Sequence, residues 1–245
     1  YSSRNFGPVE AVLGRVAGMG YQRVEGYGGL FDNAAAVEGL AKALASHGLS
    51  MPTAHIGLDL IQSGPAFVIT SAQALGIETV VIPYLDDRPN DAAGWRALGA
   101  EVAKAAAPLR AEGLTVGWHN HDFEFGALDG ADLPLALLLE ADPQLLLELD
   151  LAWVHVAGQD PVNWITRYAD RLVAAHLKDV APQGACADED GWADLGEGVL
   201  DWPKIVAALN ATGVRHLVME HDNPKDDARF AKRSITAAQH MAWRI

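Results

Sequence analysis

The chain has 245 residues, 50% of them hydrophobic, and carries 18 Lys plus Arg against 32 Asp plus Glu for a formal net charge of −14. That apolar fraction supports one sizeable core and excludes general disorder, while a field of this sign repels polyphosphate and disfavours a nucleic-acid-binding module. The single cysteine, Cys186, excludes an intrachain disulfide and a thiolate zinc cluster, and no run approaches the roughly 18 apolar residues of a membrane span, so a reducing, cytoplasmic setting with no membrane partner is expected.

Short β-branched or apolar runs repeatedly follow helical stretches that end in glycine or another turn residue. Tyr1 to Ser3 reads as the polar end of a first strand. The chain starts without Met, so residues are expected to precede it. Later strands are predicted at Tyr21–Glu25, Leu49–His55, Ile77–Pro83, Leu114–His119, Leu145–Asp150, Leu172–His176 and His216–Glu220. Helical patterns lie between them at Val9–Ala17, Ala34–Ser46, Ala66–Ala74, Ala92–Ala111, Leu133–Glu140, Pro161–Tyr168, Trp202–Ala211 and Asp226–Met241. Pro8, Pro65, Pro161 and Pro203 sit at predicted first turns, where the missing N–H costs nothing.

This alternation predicts an α/β fold, a (β/α)8 TIM barrel forming one domain over residues 1–245, with its first strand truncated at the N-terminus. A doubly wound open sheet is the alternative. It would offer a Gly-rich phosphate loop after its first strand, and Gly26-Tyr27-Gly28-Gly29 does not fit that pattern. Two surplus segments, Leu85–Asp91 and Val180–Gly198, follow predicted strands and are candidate lids on the C-terminal face of the barrel.

Strands built only for packing would end in Val, Ile or Leu, but these end in groups that can ligate metals or move protons. They are Glu25; His55; His119, Asn120, His121, Asp122 and Glu124; Glu148 and Asp150; His176, Lys178 and Asp179; and Glu220, His221 and Asp222. Carboxylate and imidazole ligands without thiolate suit a borderline or hard divalent ion, Mn²⁺ first and then Co²⁺, Mg²⁺ or Zn²⁺. Lys178 either holds a substrate oxygen or phosphate, or is a solvent-facing lysine paired with Asp179. Trp118, Phe123 and Trp153 are either core residues or an apolar wall for a sugar face.

The segments Trp118-His119-Asn120-His121-Asp122-Phe123-Glu124-Phe125, Leu147-Glu148-Leu149-Asp150, His176-Leu177-Lys178-Asp179, Gly196-Glu197-Gly198 and Met219-Glu220-His221-Asp222-Asn223-Pro224 occur in that order. In them the chain resembles the xylose isomerase-like TIM barrel superfamily of sugar phosphate isomerases and epimerases. The resemblance implies a divalent metal at the barrel mouth, held by Asp150, His176 and Glu220 together with an acidic residue after the Leu114–His119 strand. Many relatives have Glu where His119 stands here, and Glu124 is the expected fourth ligand, with His119 the alternative.

The expected activity is therefore that of a metal-dependent sugar isomerase or epimerase, moving a proton next to the carbonyl of a ketose or polyol ketone through an enediolate. Glu220, Glu124, His119 and His121 are the expected catalytic groups, the two histidines with pKa values near operating pH. Glu25, His55, Lys178 and Trp153 are the expected substrate-binding residues. One alternative is a lyase or dehydratase that eliminates a β-substituent from an inosose or keto-glycoside; another is a non-catalytic sugar-binding barrel. Abasic-site DNA cleavage, a third activity of the superfamily, is disfavoured by the charge of −14. The expected partner is a small-molecule sugar. A homo-oligomer is possible, because Ile235, Met241 and Trp243 could pack on a second subunit or on the barrel.

Overall fold

A computed structural model describes residues 1–128 and 132–244. Its strands are β1 (Arg23–Gly26), β2 (Ser50–His55), β3 (Thr79–Ile82), β4 (Thr115–His119), β5 (Leu146–Asp150), β6 (Leu172–His176), β7 (Asp179–Val180), β8 (Trp192–Ala193) and β9 (His216–Val218). β1 to β6 and then β9 form one parallel sheet in chain order, curled into a nearly closed barrel, and β7 and β8 form a separate antiparallel hairpin. The helices are α1 (Val9–Gly18), α2 (Ala34–His47), α3 (Leu58–Ser63), α4 (Pro65–Leu75), α5 (Ala92–Ala111), α6 (Pro134–Ala141), α7 (Leu151–Val156), α8 (Pro161–Arg167), α9 (Trp202–Leu209) and α10 (Asp227–His240). The architecture is the TIM barrel that the alternating pattern predicts. No helix among the described residues is long and apolar enough to cross a membrane.

Local chemistry sets the element boundaries. Asn33, Asp91, Asp160, Asp201 and Asp226 each accept an amide hydrogen bond at a helix N-terminus that would otherwise lack a partner. Gly48 and Gly76 end α2 and α4 at φ 65° and 70°, where a Cβ would be strained. All four residues of β3 are buried, as a parallel strand covered on both faces requires. Leu135, Leu137, Leu145, Leu147, Leu149, Val80 and Trp118 are fully enclosed in one connected core. Each such side chain contributes roughly 1.5–3 kcal/mol through burial.

The expected first strand is absent from the described residues. Tyr1 to Phe6 form turns, with Arg4 N donating to Tyr1 O (2.9 Å) and Phe6 N to Ser3 O (3.1 Å). Ser2 Oγ accepts from His221 N (3.0 Å) and the Arg4 guanidinium donates to Asp222 O (2.9 Å), so this segment meets the end of β9 through side chains instead of a ladder. β1 and β9 are left as unbonded sheet edges, and a cavity of about 270 Å³ lies between them, reaching Glu25, Thr53 and Glu220. The long segment after β6 folds back as the β7–β8 hairpin. Helices α3 and α7 occupy stretches that periodicity alone leaves without an assignment, because six residues show too little of a 3.6-residue repeat.

Candidate active site

Parallel register assembles the site. His119 at the end of β4 lies opposite Glu148 in β5, and Asp150 at the end of β5 lies opposite His176 at the end of β6. Glu148 and Asp150, two residues apart on one strand, share a face. Asn120 pins this arrangement by accepting from Asp150 N (3.0 Å) and donating to Asp150 O (3.2 Å).

The deeper layer is a carboxylate–imidazole network. Glu148 Oε1 meets His55 Nε2 (2.6 Å), His176 Nε2 (3.1 Å) and His119 Nδ1 (3.3 Å). Glu25 Oε1 reaches His176 Nε2 (2.9 Å) and His55 Nε2 (3.3 Å), while Thr53 Oγ1 donates to Glu25 Oε2 (2.6 Å). Burial would lower the His176 pKa, but Glu148 and Glu25 outweigh it and hold that imidazole well above the usual histidine range. Burial would likewise raise Glu148, and His176 and His55 outweigh it, keeping that carboxylate ionised.

The upper layer contains Asp150, Glu220, Asp222 and Lys178. Lys178 is only 1% exposed. Its Nζ contacts Asp222 and lies 2.9 Å from Glu220 Oε2 and 3.5 Å from Asp150 Oδ2, and it also stands over the rings of Trp153 (5.1 Å) and Trp192 (4.3 Å). Burial disfavours its charge, but Glu220, Asp150 and Asp222 more than compensate and raise its pKa. Burial and the neighbouring Glu220 push the Asp222 carboxyl up to about 6.

A divalent cation fits this upper layer. Ligand atoms of Asp150, His176 and Glu220 lie within 4.8 Å of one another, and all three residues are buried. Asp150 Oδ2, His176 Nδ1 and Glu220 Oε1 have no hydrogen-bond partner, a condition buried polar atoms rarely tolerate. Two carboxylates and one imidazole form a donor set suited to a divalent cation.

The other predicted residues fall into three groups. Glu25 and His55 lie within the deeper network, and Trp153 packs 5.3 Å from the His121 ring and 4.7 Å from Trp192. Glu124 belongs to neither ligand cluster: it is fully buried, and its oxygens accept from Trp118 Nε1 (2.9 Å) and His121 N (2.8 Å). Lys178 is not paired with Asp179, whose carboxylate accepts from Val180 N, Leu200 N, Gly196 N, Gly198 N and Trp202 Nε1 and ties down the segment after β7. Gly198 must lack a Cβ there, because one would overlap the Asp179 carboxylate and the Val180 carbonyl.

The two histidines expected to titrate near neutrality do not. Burial, followed by the charge of Lys178, pushes His121 down to about 3, and burial with His176 lowers His119 well below its usual value. Both are neutral imidazoles at pH 7. Glu148, in the middle of β5, is among the groups that sequence reasoning names as able to ligate a metal or move a proton but receives no specific role there, although the alternation Leu147-Glu148-Leu149-Asp150 signals that it shares a face with Asp150.

Comparison with known proteins extends this picture. The structure superposes on that of a sugar phosphate isomerase/epimerase from Parabacteroides distasonis with a TM-score of 0.79 and 20% identity, covering 94% of this chain and 87% of that one. It also superposes on the probable 3-DHS dehydratase AsbF from Bacillus anthracis with a TM-score of 0.73 and 12% identity, covering 97% and 95%. At these identities the likeness shows the fold. In sequence the chain is 24% identical over 178 residues to an inosose dehydratase of Lacticaseibacillus casei, covering 64% of this chain and 59% of that protein. It is 27% identical over 167 residues to the rhizopine catabolism protein MocC of Rhizobium meliloti, covering 60% and 50%. The chain thus spans less than two thirds of the length of these curated relatives. The xylose isomerase-like TIM barrel family model matches residues 13–242, and the chain belongs to that family.

Proposed function

We propose that the chain is a divalent-metal-dependent enzyme that moves a proton next to the carbonyl of a ketose or polyol ketone. The observation that carries this reading is the convergence of Asp150 Oδ2, His176 Nδ1 and Glu220 Oε1, all buried and without hydrogen-bond partners, at the ends of β5 and β6 and two residues past β9. Asp150, His176 and Glu220 would hold the cation, with Mn²⁺ the first candidate. A bound divalent ion would polarise a carbonyl and acidify the neighbouring C–H.

The chain's own groups supply the remaining chemistry. His121 is a neutral imidazole whose Nδ1 has no hydrogen-bond partner, so it can accept a hydrogen bond from a substrate hydroxyl, while its depressed pKa opposes full protonation. Lys178 keeps its positive charge and can donate to a substrate oxygen on which negative charge develops. Trp153 offers a ring edge or face to the C–H groups of a sugar.

A second reading, β-elimination from an inosose or keto-glycoside, is favoured by one acidic group beside Lys178. Asp222, whose carboxyl is raised to about 6 and which contacts Lys178, can protonate a leaving oxygen. The curated relative named as an inosose dehydratase is consistent with it.

Elemental analysis of the protein purified without added metal, beside an Asp150→Ala, His176→Ala double variant, tests the site. About one divalent ion per chain, absent from the variant, supports the proposal. No ion in either protein after Mn²⁺ is supplied would sink it. Mass analysis of products from ketoses and keto-glycosides then separates the readings, because isomerisation conserves the formula and elimination releases water or an aglycone.

A further inference from the structure

Within the deeper network, both carboxylates that touch His176 meet it at Nε2. Nε2 is 2.9 Å from Glu25 Oε1 and 3.1 Å from Glu148 Oε1, whereas Nδ1, on the other side, has no hydrogen-bond partner and lies 3.8 Å from Asp150 Oδ2. A nitrogen placed between two carboxylate oxygens carries a proton. Nδ1 faces Asp150 and Glu220 without making a hydrogen bond, and a cation bound there would take the place of any proton on it and meet its lone pair.

We propose that Glu148 and Glu25 are positioning residues that keep the proton on His176 Nε2 and aim Nδ1 at the space between Asp150 and Glu220. The inference rests on the metal-site reading above and assigns the deeper carboxylates a role within it. β5 then supplies both a cation ligand, Asp150, and the carboxylate behind the neighbouring ligand, Glu148, by strand alternation alone. Thr53 fixes Glu25 through its second oxygen. His55 bridges Glu25 and Glu148 and stacks on His176, with ring centroids 5.5 Å apart and planes 11° from parallel, and so packs against the face of the imidazole that the carboxylates hold.

The deeper groups could instead be a cation site themselves, since ligand atoms of His55, His119, Glu148 and His176 also lie within 4.8 Å of one another. Distance decides between the two roles. His55 Nε2 and Glu148 Oε1 are 2.6 Å apart, a hydrogen-bond separation. Two ligands at about 2.0–2.1 Å from a tetrahedral ion stand about 3.3 Å apart. Glu148 Oε1 is also shared among three imidazoles, whereas Asp150 Oδ2, His176 Nδ1 and Glu220 Oε1 make no hydrogen bond.

The test uses the full chain loaded with diamagnetic Zn²⁺, together with chelator competition for Mn²⁺ and Zn²⁺. Long-range proton–nitrogen spectra of histidine-labelled protein should show His176 bound to the metal through Nδ1 and protonated at Nε2. Glu148→Gln and Glu25→Gln should each weaken affinity roughly 10- to 100-fold while the stoichiometry stays at one ion per chain. If the buried Glu148→Gln variant does not fold, Glu25→Gln carries the affinity test and the wild-type spectrum carries the tautomer test. Metal bound at Nε2, affinities within twofold of wild type, or a second ion lost specifically on Glu148→Gln would each overturn the assignment. Absence of metal uptake by the wild-type chain would instead overturn the proposed function on which it rests.

Discussion

Two sets of buried carboxylates stand beyond the C-terminal ends of the strands, and they differ in how completely they are satisfied. Asp179 accepts from four backbone amides and the Trp202 indole, and Glu124 accepts from an amide and the Trp118 indole. Asp150 uses only Oδ1, capping α7 through Ala152 N and Trp153 N, and leaves Oδ2 without a hydrogen bond; Glu220 Oε1 is similarly free. A carboxylate whose lone pairs are taken by the chain holds a loop in place. One that keeps them is available to a ligand, and its sequence neighbourhood gives no sign of which kind it is.

Substitution should separate the two sets, and the largest effect is expected at Asp150. Asp150→Asn keeps the Oδ1 cap but removes the charge, so metal uptake and turnover should fall on the order of 1,000-fold while the melting temperature moves by only a few degrees. A variant that unfolds with its activity loss would erase the distinction. Asp179→Ala should do the opposite. It strands several buried donors and should destabilise the fold by about 3–5 kcal/mol in urea denaturation, with metal affinity retained in the fraction that stays folded. A loss under about 1 kcal/mol would show that water replaces the carboxylate.

Glu124 provides a pH-dependent comparison. Burial raises its pKa to about 7, against the opposing donors Trp118 and His121. A folded-state value above the unfolded one means that this group stabilises the protein fully below about pH 4.5 and that the contribution disappears as pH rises through 7. Stability should therefore decline by up to about 3 kcal/mol across that interval from this group, and Glu124→Gln should flatten the profile. An unchanged profile in the variant would show that another group dominates. The smallest effect belongs to the exposed pair Lys42 and Glu38, 2.6 Å apart with side chains 75% and 69% exposed. Lys42→Ala should change stability by less than about 0.5 kcal/mol, setting the surface baseline for the buried cases.

Much of the scaffold was legible in the sequence because its signals are local. The predicted α5 boundaries, Ala92–Ala111, and the predicted β6 boundaries, Leu172–His176, coincide with the structure, since an N-capping Asp91 and a short apolar run ended by His176 are each contained in a few residues. Tyr1 to Ser3 misled because a strand end without its pairing partner has no local signature distinct from a turn. The state of His119 and His121 was also hidden: their type suggested titration near neutrality, but burial decides it, and burial is a property of the assembled barrel.

The sequence alone determined the repeated βα order, and with it the barrel, because periodicity and capping act over neighbouring residues. It also determined that Asp150 and His176 end strands, because apolar runs stop there, whereas β9 stops at Val218 and leaves Glu220 two residues beyond it. Only the tertiary structure decided which carboxylates keep free lone pairs. Glu124 and Asp150 are both buried acids near strand ends, yet one meets an indole and an amide while the other faces His176 across the β5–β6 register. It likewise drew Lys178 into a cage of acids and tryptophans and placed Glu148 against His176. These contacts join residues far apart in the chain, and their electrostatics depend on exclusion of water, which exists only once the barrel has formed.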